Sequence, residues 1–233
     1  MEDSFGRRIT TLRLSVIDRC DLRCVYCMSE QPNFLPKPEV LSLEELERLC
    51  GIFIGLGVRK LRLTGGEPLV RRGIGRLIGK LGEHVAAGRL DELTLTTNGT
   101  RLAEHATALA AAGIRRINVS LDTLDPDLFR RITRRGELET VLDGIAAARE
   151  AGVAVKINTV ALRGINETEI DRLIGWCGRE GHDMTLIEAM PLGEFAASMM
   201  SHALPVTELR DQLARRWTLI NTDYRSGGPA RYV

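Results

Sequence analysis

The sequence is poor in lysine, in aromatic side chains and in long apolar runs. Only four of its 32 basic residues are lysines, and 31 acidic residues reduce the net charge to +1. This balance gives no bulk electrostatic attraction to nucleic acid or to an anionic membrane. Apolar stretches such as 51–58 and 108–114 fall short of the roughly 18 residues that a membrane span requires. Residues 1–8 contain acids and arginines but no apolar signal-peptide segment. The sequence therefore predicts a soluble, cytoplasmic protein with no nucleic-acid or membrane partner.

The cysteines are few and unevenly spaced. Five in a chain without an export signal argue against a disulfide framework. Cys20, Cys24 and Cys27 form a C-x3-C-x2-C motif, and thiolates at this spacing suit an iron–sulfur centre. A structural zinc ion normally takes four protein ligands, and no fourth lies nearby. The motif predicts a cubane cluster with one iron free to bind a small molecule. The alternatives are incidental cysteines or a zinc site completed by His84 or His182.

Apolar strand-like segments alternate with amphipathic helical segments along the chain. Strands are predicted at 12–17, 60–64, 92–96, 116–121, 153–160 and 185–190. Helices are predicted at 43–54, 74–87, 103–112, 138–151, 169–179 and 207–216. Ser42 and Glu45 have the spacing of a capping box before the first of these helices.

A strand–helix alternation of this kind indicates a parallel sheet with right-handed crossovers in one domain. Periodicity alone leaves open whether the six strands form an open barrel or a doubly wound sheet. In both architectures ligands bind at the carboxyl ends of the strands. Most of the segments that follow the predicted strands are polar or rich in glycine, at 18–27, 65–68, 97–99, 120–122, 158–159 and 188–190. We therefore expect the functional site at that end of the sheet.

The cysteine motif resembles the signature of the radical S-adenosylmethionine (SAM) superfamily, with Tyr26 as the aromatic residue before the last cysteine. The run Gly65-Gly66-Glu67-Pro68 resembles the segment that holds the methionine amino group of SAM in that superfamily. More specific runs resemble the GTP 3′,8-cyclases of molybdenum cofactor biosynthesis; they lie at 12–20, 60–69, 95–99, 115–122 and 187–190. The resemblance is in register from about residue 7 to the end of the chain.

The resemblance implies a partial (β/α)6 TIM-type barrel. It implies a radical SAM core domain over 1–217 and the start of a C-terminal region over 218–233. The implied enzyme is a carbon–carbon lyase that converts GTP to (8S)-3′,8-cyclo-7,8-dihydro-GTP through a 5′-deoxyadenosyl radical, the first step of molybdenum cofactor biosynthesis. Its implied cofactors are a [4Fe–4S] cluster and SAM, and its implied partners are GTP, an electron donor and a second copy in a homodimer.

Site residues follow from the resemblance position by position, with no catalytic group beyond the cluster and SAM. The cluster ligands are Cys20, Cys24 and Cys27. The SAM contacts are Tyr26, Gly66, Ser120 and Met190, and the GTP contacts are Arg13, Lys60, Arg62, Thr96 and Lys156. Arginine and lysine are suitable partners for a triphosphate. Two alternatives stay open: Lys156 as a surface lysine at a strand edge, and Met190 as a core residue.

The chain departs from the family pattern in three places. A second cysteine triad, which would bind a second [4Fe–4S] cluster in a full-length chain, is absent, and Cys50 and Cys177 have the pattern of small buried residues. The chain ends in an apolar run that resembles the start of a strand, which predicts a fragment. Thr185 stands where many relatives have an arginine.

Two other functions remain open from sequence alone. One is a radical SAM enzyme that acts on a different substrate, such as a peptide or a tRNA base. The other is a non-catalytic protein that binds an iron–sulfur cluster or zinc.

Overall fold

Six parallel β-strands form the centre of the protein in a computed structural model that describes residues 2–190, 200–224 and 230–233. The strands are β1 Thr11–Ser15, β2 Lys60–Thr64, β3 Glu92–Thr97, β4 Arg116–Ser120, β5 Ala154–Ala161 and β6 Asp183–Glu188. Each strand hydrogen-bonds to the next in chain order.

Helices connect the strands. The α-helices are α1 Leu43–Gly55, α2 Ile74–Ala86, α3 Leu102–Ala111, α4 Pro126–Thr133, α5 Leu138–Glu150, α6 Ile170–Glu180 and α7 Val206–Leu213, with short 3-10 turns at Lys37–Glu39, Pro68–Val70 and Glu167–Glu169. The capping box at α1 is confirmed: Ser42 Oγ accepts from the Glu45 N–H, and the Glu45 carboxylate accepts from the Ser42 N–H. Most predicted boundaries agree with these to within about one residue.

Four elements differ from the predicted secondary structure. The first strand runs Thr11–Ser15 rather than 12–17. The last strand runs Asp183–Glu188 rather than 185–190, because Asp183 and Met184 already pair with Lys156 and Ile157. Helix α7 ends at Leu213 rather than near 216. Helix α4 was not predicted at all, although Asp125 caps it by accepting from the Leu128 N–H at 2.7 Å.

The strand order decides between the two architectures that periodicity left open. A doubly wound sheet reverses its strand order at a switch point, whereas here the order is sequential from β1 to β6 and every pair is parallel. Successive right-handed crossovers in one direction place the helices on one side. The fold is therefore the expected partial (β/α)6 barrel, with β1 and β6 as its two edges.

The helix-facing side of the sheet is apolar and forms the main core. Alternate strand residues are almost fully buried there: Leu61, Leu63, Leu93, Leu95, Ile117, Val119, Val155 and Ile157. Helices α1 to α6 pack leucine, isoleucine and alanine side chains against them. Because side chains alternate along a strand, the intervening residues lie on the opposite, inner side.

The inner side of the sheet is polar and partly charged. In-register pairs place Arg13 beside Arg62 and Asn118 between Thr96 and Lys156. The interior of a closed TIM barrel is instead packed with bulky branched residues. An open barrel with a polar inner face has room for a polar ligand.

The C-terminal part of the described chain packs at the β6 side. Leu209 and Leu213 of α7 form a small second core with Ala161 and Ile170. The predicted strand near the chain end lies partly at 225–229, outside the described residues; Tyr232 forms one isolated antiparallel bridge with Thr222. In the parts of the chain described here, no helix is long and apolar enough to cross a membrane.

Candidate functional site

The cysteine motif lies on the loop that follows β1, and backbone hydrogen bonds attach this loop to α4. The Arg23 and Val25 N–H groups donate to the carbonyls of Thr133 and Ile132, both at 2.9 Å. The buried Arg23 guanidinium donates to the carbonyl of Cys20 at 2.6 Å. These hydrogen bonds position the loop, and α4, which the sequence pattern did not reveal, is part of its support.

Gly65 and Gly66 let the loop after β2 lie directly against the loop that carries the cysteine motif. The Gly66 N–H donates to the Ile17 carbonyl at 2.7 Å, and the Glu67 N–H donates to the Arg19 carbonyl at 2.8 Å. A Cβ on Gly66 would lie 2.2 Å from the Arg19 carbonyl oxygen. Glycine is required here because two backbones meet, whatever further contact Gly66 makes with a ligand.

The three motif thiols lie close enough together to influence one another. Burial raises the pKa of Cys24 well above its usual range, and Asp122, Cys27 and Cys20 add to the rise. Burial also raises the pKa of Cys20 to about 11 and that of Cys27 to a lesser extent. Thiolates at these positions therefore need a compensating positive charge, which bound iron supplies.

Glu67 joins the ends of β2 and β3 and is almost fully buried. Its Oε1 accepts from the Leu69 N–H at 2.9 Å and from Thr97 Oγ1 at 2.8 Å, and its Oε2 accepts from the Asn98 N–H at 2.6 Å. Burial raises its pKa to about 7 even though these hydrogen bonds lower it. The carboxylate thereby positions Asn98, whose side chain faces the cysteine loop.

A small cavity opens beside the cysteine loop at the carboxyl ends of β3 and β4. Its lining includes Cys24, Tyr26, Asn98, Ser120 and Asp122. The structure thus brings two of the four predicted SAM residues, Tyr26 and Ser120, to one cavity next to a predicted cluster ligand. Asn98 and Asp122 are not among the predicted site residues. Their sequence signals are their positions after strands and their places in the runs 95–99 and 115–122 that resemble the cyclases.

Met190 is not among the residues that line this cavity. It follows the end of β6 by two residues and is 65% exposed, so the core-packing alternative is wrong. Residues 191–199 lie outside the described part of the chain. The predicted contact of Met190 with SAM remains a prediction.

Four of the residues predicted as GTP contacts are basic and lie on the inner face of the strands: Arg13, Lys60, Arg62 and Lys156. Within the described residues, Arg13 and Arg62 take part in no ion pair, whereas Lys60 and Arg116 both pair with Glu92, at 3.6 and 2.8 Å. Burial, then the charges of Arg13 and Arg116, lower the pKa of Arg62. A cluster of basic side chains with few acidic partners favours an anionic ligand.

Lys156 belongs to the same inner face but is covered by the chain's own C-terminal segment. It lies on β5, between β4 and β6, and is only 5% exposed, so the strand-edge alternative is wrong. Its Nζ donates to the Tyr232 hydroxyl and lies 4.6 Å from the centre of the Tyr232 ring. A ligand that reaches Lys156 therefore has to share or displace Tyr232.

The zinc alternative receives no support from the described residues. Among them, no three Cys, His, Asp or Glu side chains converge as a site for one metal ion. His84 accepts from Arg89, and the His182 ring lies 5.2 Å from Trp176. A single zinc ion requires its donors around one point, whereas the thiolates of a cubane each bind a different iron. Cys50 and Cys177 are buried in the main core, as predicted.

The model of the radical SAM superfamily matches residues 14–177. The chain belongs to this superfamily.

Several curated proteins similar to this chain are GTP 3′,8-cyclases. The chain is 60% identical over all 233 residues to the GTP 3′,8-cyclase of Sinorhizobium medicae and spans 67% of its length. It is 59% identical to that of Brucella canis and spans 68% of it.

Solved structures share the fold at low identity. The complex of Streptococcus suis SuiB with its precursor peptide SuiA matches with a TM-score of 0.73 and 19% identity, over 90% of this chain and 46% of that one. The structure of anSMEcpe with bound AdoMet matches with a TM-score of 0.68 and 17% identity, over 91% of this chain and 58% of that one. These structures support the partial barrel.

A [4Fe–4S] cluster and SAM are the cofactors of the superfamily, and the residues present fit them. The three thiols lie on one loop, and backbone hydrogen bonds hold this loop against α4. A cavity with polar side chains adjoins that loop. Cys20, Cys24 and Cys27 would hold the cluster, which leaves one iron without a protein ligand.

Proposed function

We propose that this chain forms the cluster- and SAM-binding core of a GTP 3′,8-cyclase that acts in molybdenum cofactor biosynthesis. The observation that carries the proposal is the arrangement of the inner face, where Arg13 and Arg62 lie side by side without a paired carboxylate in the described residues. The 60% identity to curated GTP 3′,8-cyclases supports the same substrate. A nucleoside triphosphate carries negative charges that these two arginines can bind.

The proposed roles divide the barrel into two zones. Cys20, Cys24 and Cys27 hold the cluster, and Tyr26, Gly66, Ser120 and Met190 contact SAM. Arg13, Lys60, Arg62, Thr96 and Lys156 contact GTP from the inner face of the strands. When bound, the reduced cluster and SAM together supply the radical chemistry. The chain itself binds the two ligands next to each other, orients them and limits access of water.

The proposal also covers the domain bounds, the electron donor, the oligomeric state and the cellular location. We propose a radical SAM core domain over 1–217, followed by the start of a C-terminal region over 218–233. The family match to 14–177 supports the core domain. An external one-electron donor and self-association as a homodimer belong to the same proposal. A cytoplasmic location is supported by the five cysteines, none of which forms a disulfide.

The test has two stages, both under anaerobic conditions. Reconstituted protein should contain about four irons and four sulfides per chain. It should then bind GTP in equilibrium dialysis. Arg13→Ala, Arg62→Ala and Lys156→Ala should each weaken binding by roughly tenfold to hundredfold, since each removes a charged phosphate contact. Arg76→Ala is the matched control, because Arg76 pairs with Glu44 on the helical exterior.

The outcomes separate the alternative functions. Unchanged GTP affinity in all three variants, with the cluster present, would point to a different substrate such as a peptide. One zinc ion per chain without acid-labile sulfide would point to a non-catalytic metal-binding protein. Conversion of GTP by the reconstituted chain, followed by mass spectrometry, measures how much of the complete reaction these 233 residues perform.

A further inference from the structure

The Asn98 side chain connects a predicted cluster ligand to an acidic neighbour. Its Nδ2 lies 3.6 Å from Cys20 Sγ and 2.7 Å from Asp21 Oδ1. The first contact is an N–H···S hydrogen bond and the second is a charge-assisted hydrogen bond. Asn98 follows β3, so the contact spans 78 residues of sequence.

Hydrogen bonds fix the orientation of the Asn98 amide. Its Oδ1 accepts from the Thr100 N–H at 2.9 Å. Because a backbone N–H can only donate, the oxygen must be on that side and the NH2 group must face Cys20. The Asn98 N–H also donates to the buried Glu67 carboxylate, as described above, and this bond holds the main chain.

Asp21 is held by the same group of residues. Its Oδ2 accepts from Thr100 Oγ1 at 2.6 Å, while its Oδ1 accepts from Asn98. The Asp21 carboxylate also lies beside the cluster ligand, with its Oδ1 3.8 Å from Cys20 Sγ. Asn98 is thus a donor to sulfur within an otherwise acidic environment.

We propose that Asn98 sets the reduction potential of the cluster through its hydrogen bond to Cys20, and that Asp21 opposes it. The inference rests on the cluster assignment under Proposed function. One electron from a low-potential donor makes the cluster one unit more negative. A hydrogen bond to a ligand sulfur stabilises that reduced state, and a nearby carboxylate destabilises it.

Two substitutions of nearly equal size should shift the potential in opposite directions. Asn98→Asp replaces the donor by a carboxylate and should lower the equilibrium constant for reduction at least tenfold, which is about 59 mV for one electron. Asp21→Asn removes a negative charge beside the Cys20 sulfur, so it should raise the potential. If Asn98 and Asp21 only held the loop in place, the two substitutions would not shift the reduction potential in opposite directions.

The experiment is a dithionite titration of the reconstituted proteins, followed by electron paramagnetic resonance of the reduced cluster. Asn221→Asp is the control, because it makes the same chemical change at an exposed residue that contacts Arg210 instead. Iron and sulfide content is measured on every sample. This separates the two proposals, since wild-type protein that binds no cluster contradicts the proposed function and not the role of Asn98.

The results decide the inference as follows. A lower potential in Asn98→Asp and a higher one in Asp21→Asn, with no change in Asn221→Asp, support it. Potentials equal to wild type, or shifts of the same sign in both variants, overturn it. If Asn98→Asp fails to take up iron, Asn98→Ala takes its place, because it removes the N–H···S donor without adding a charge. A potential equal to or above that of wild type in Asn98→Ala then refutes the role assigned to Asn98.

Discussion

The hydroxyl of Tyr26 donates to Asp122 Oδ2 at 2.6 Å and so joins the cysteine loop to the end of β4. The other carboxylate oxygen, Oδ1, accepts from the Val160 N–H of β5 at 2.9 Å. Burial raises the pKa of Asp122 to about 6, while both hydrogen bonds lower it. One buried carboxylate therefore connects the cysteine loop with two strands of the barrel, and its partner Tyr26 lies between two predicted cluster ligands.

Tyr26→Phe should destabilise the cluster-free protein by about 1–3 kcal/mol, because a buried carboxylate loses one of its donors. The loss should shrink when Asp122 is already Asn, since no charge then remains to be satisfied. Urea unfolding of the two single variants and the double variant at pH 7 gives the coupling energy. A coupling energy near zero would show that the hydroxyl contributes nothing through Asp122.

Glu67 should make the protein less stable as the pH rises. Its pKa is about 7 in the folded protein against 4.5 as the usual value, so the folded state holds the proton more tightly. The contribution is fully present below pH 4.5 and is lost as the pH rises through 7; it amounts to roughly 3 kcal/mol. Glu67→Gln should remove that part of the pH dependence.

Denaturant unfolding between pH 4.5 and 7.5 tests this slope. The comparison is between slopes, because Glu67→Gln also exchanges an acceptor for a donor and lowers the absolute stability. Glu104→Gln is the control, since Glu104 pairs with Arg101 on the exposed side of α3. Parallel pH profiles in wild type and Glu67→Gln would contradict the assignment.

Gly66→Ala should prevent the close approach of the two loops. The added Cβ meets the backbone of Arg19 and Asp18, which cannot move as a flexible side chain can. We expect the free energy of unfolding to fall by about 3 kcal/mol and cluster uptake to be poor. Gly79→Ala is the matched control, because nothing lies within 4 Å of its Cβ position and alanine favours a helix. Equal melting temperatures for the two variants would refute the packing argument.

The five cysteines should divide into two functional groups. Cys24→Ala should abolish cluster assembly, because only two thiolates remain on the loop. Cys50→Ala and Cys177→Ala should retain the iron and sulfide of the wild type and lose about 1 kcal/mol of stability, since both thiols lie in the apolar core. Iron analysis of the three variants is the measurement. Loss of iron in Cys177→Ala without unfolding would assign that thiol a role that its position does not suggest.

The strands could be predicted from the sequence because each is a short apolar run that ends at glycine or a polar residue. The sequential strand order could not, since periodicity carries no information about which strands are neighbours. Helix α4 had a readable signal in Asp125 followed by Pro126, a cap and a first-turn proline. Its short length and its arginines obscured the pattern.

The candidate site was predictable only in part. The cysteine motif and the Gly65-Gly66 pair are local patterns, and local patterns can be read from sequence. Asp122 and Asn98 act through partners 96 and 78 residues away, and no spacing rule reveals such pairs. The burial of Lys156 under Tyr232 likewise depends on how the C-terminal segment folds back.

The two faces of the sheet are under different constraints, and this has a consequence for how the protein can change. The leucines that hold the barrel together all lie on the outer face, against the helices. Inner-face residues such as Arg13 can therefore be exchanged at little thermodynamic cost, so substrate choice can diverge while the scaffold persists. The residues that stabilise the fold and the residues proposed to contact the substrate lie on opposite faces of the same six strands.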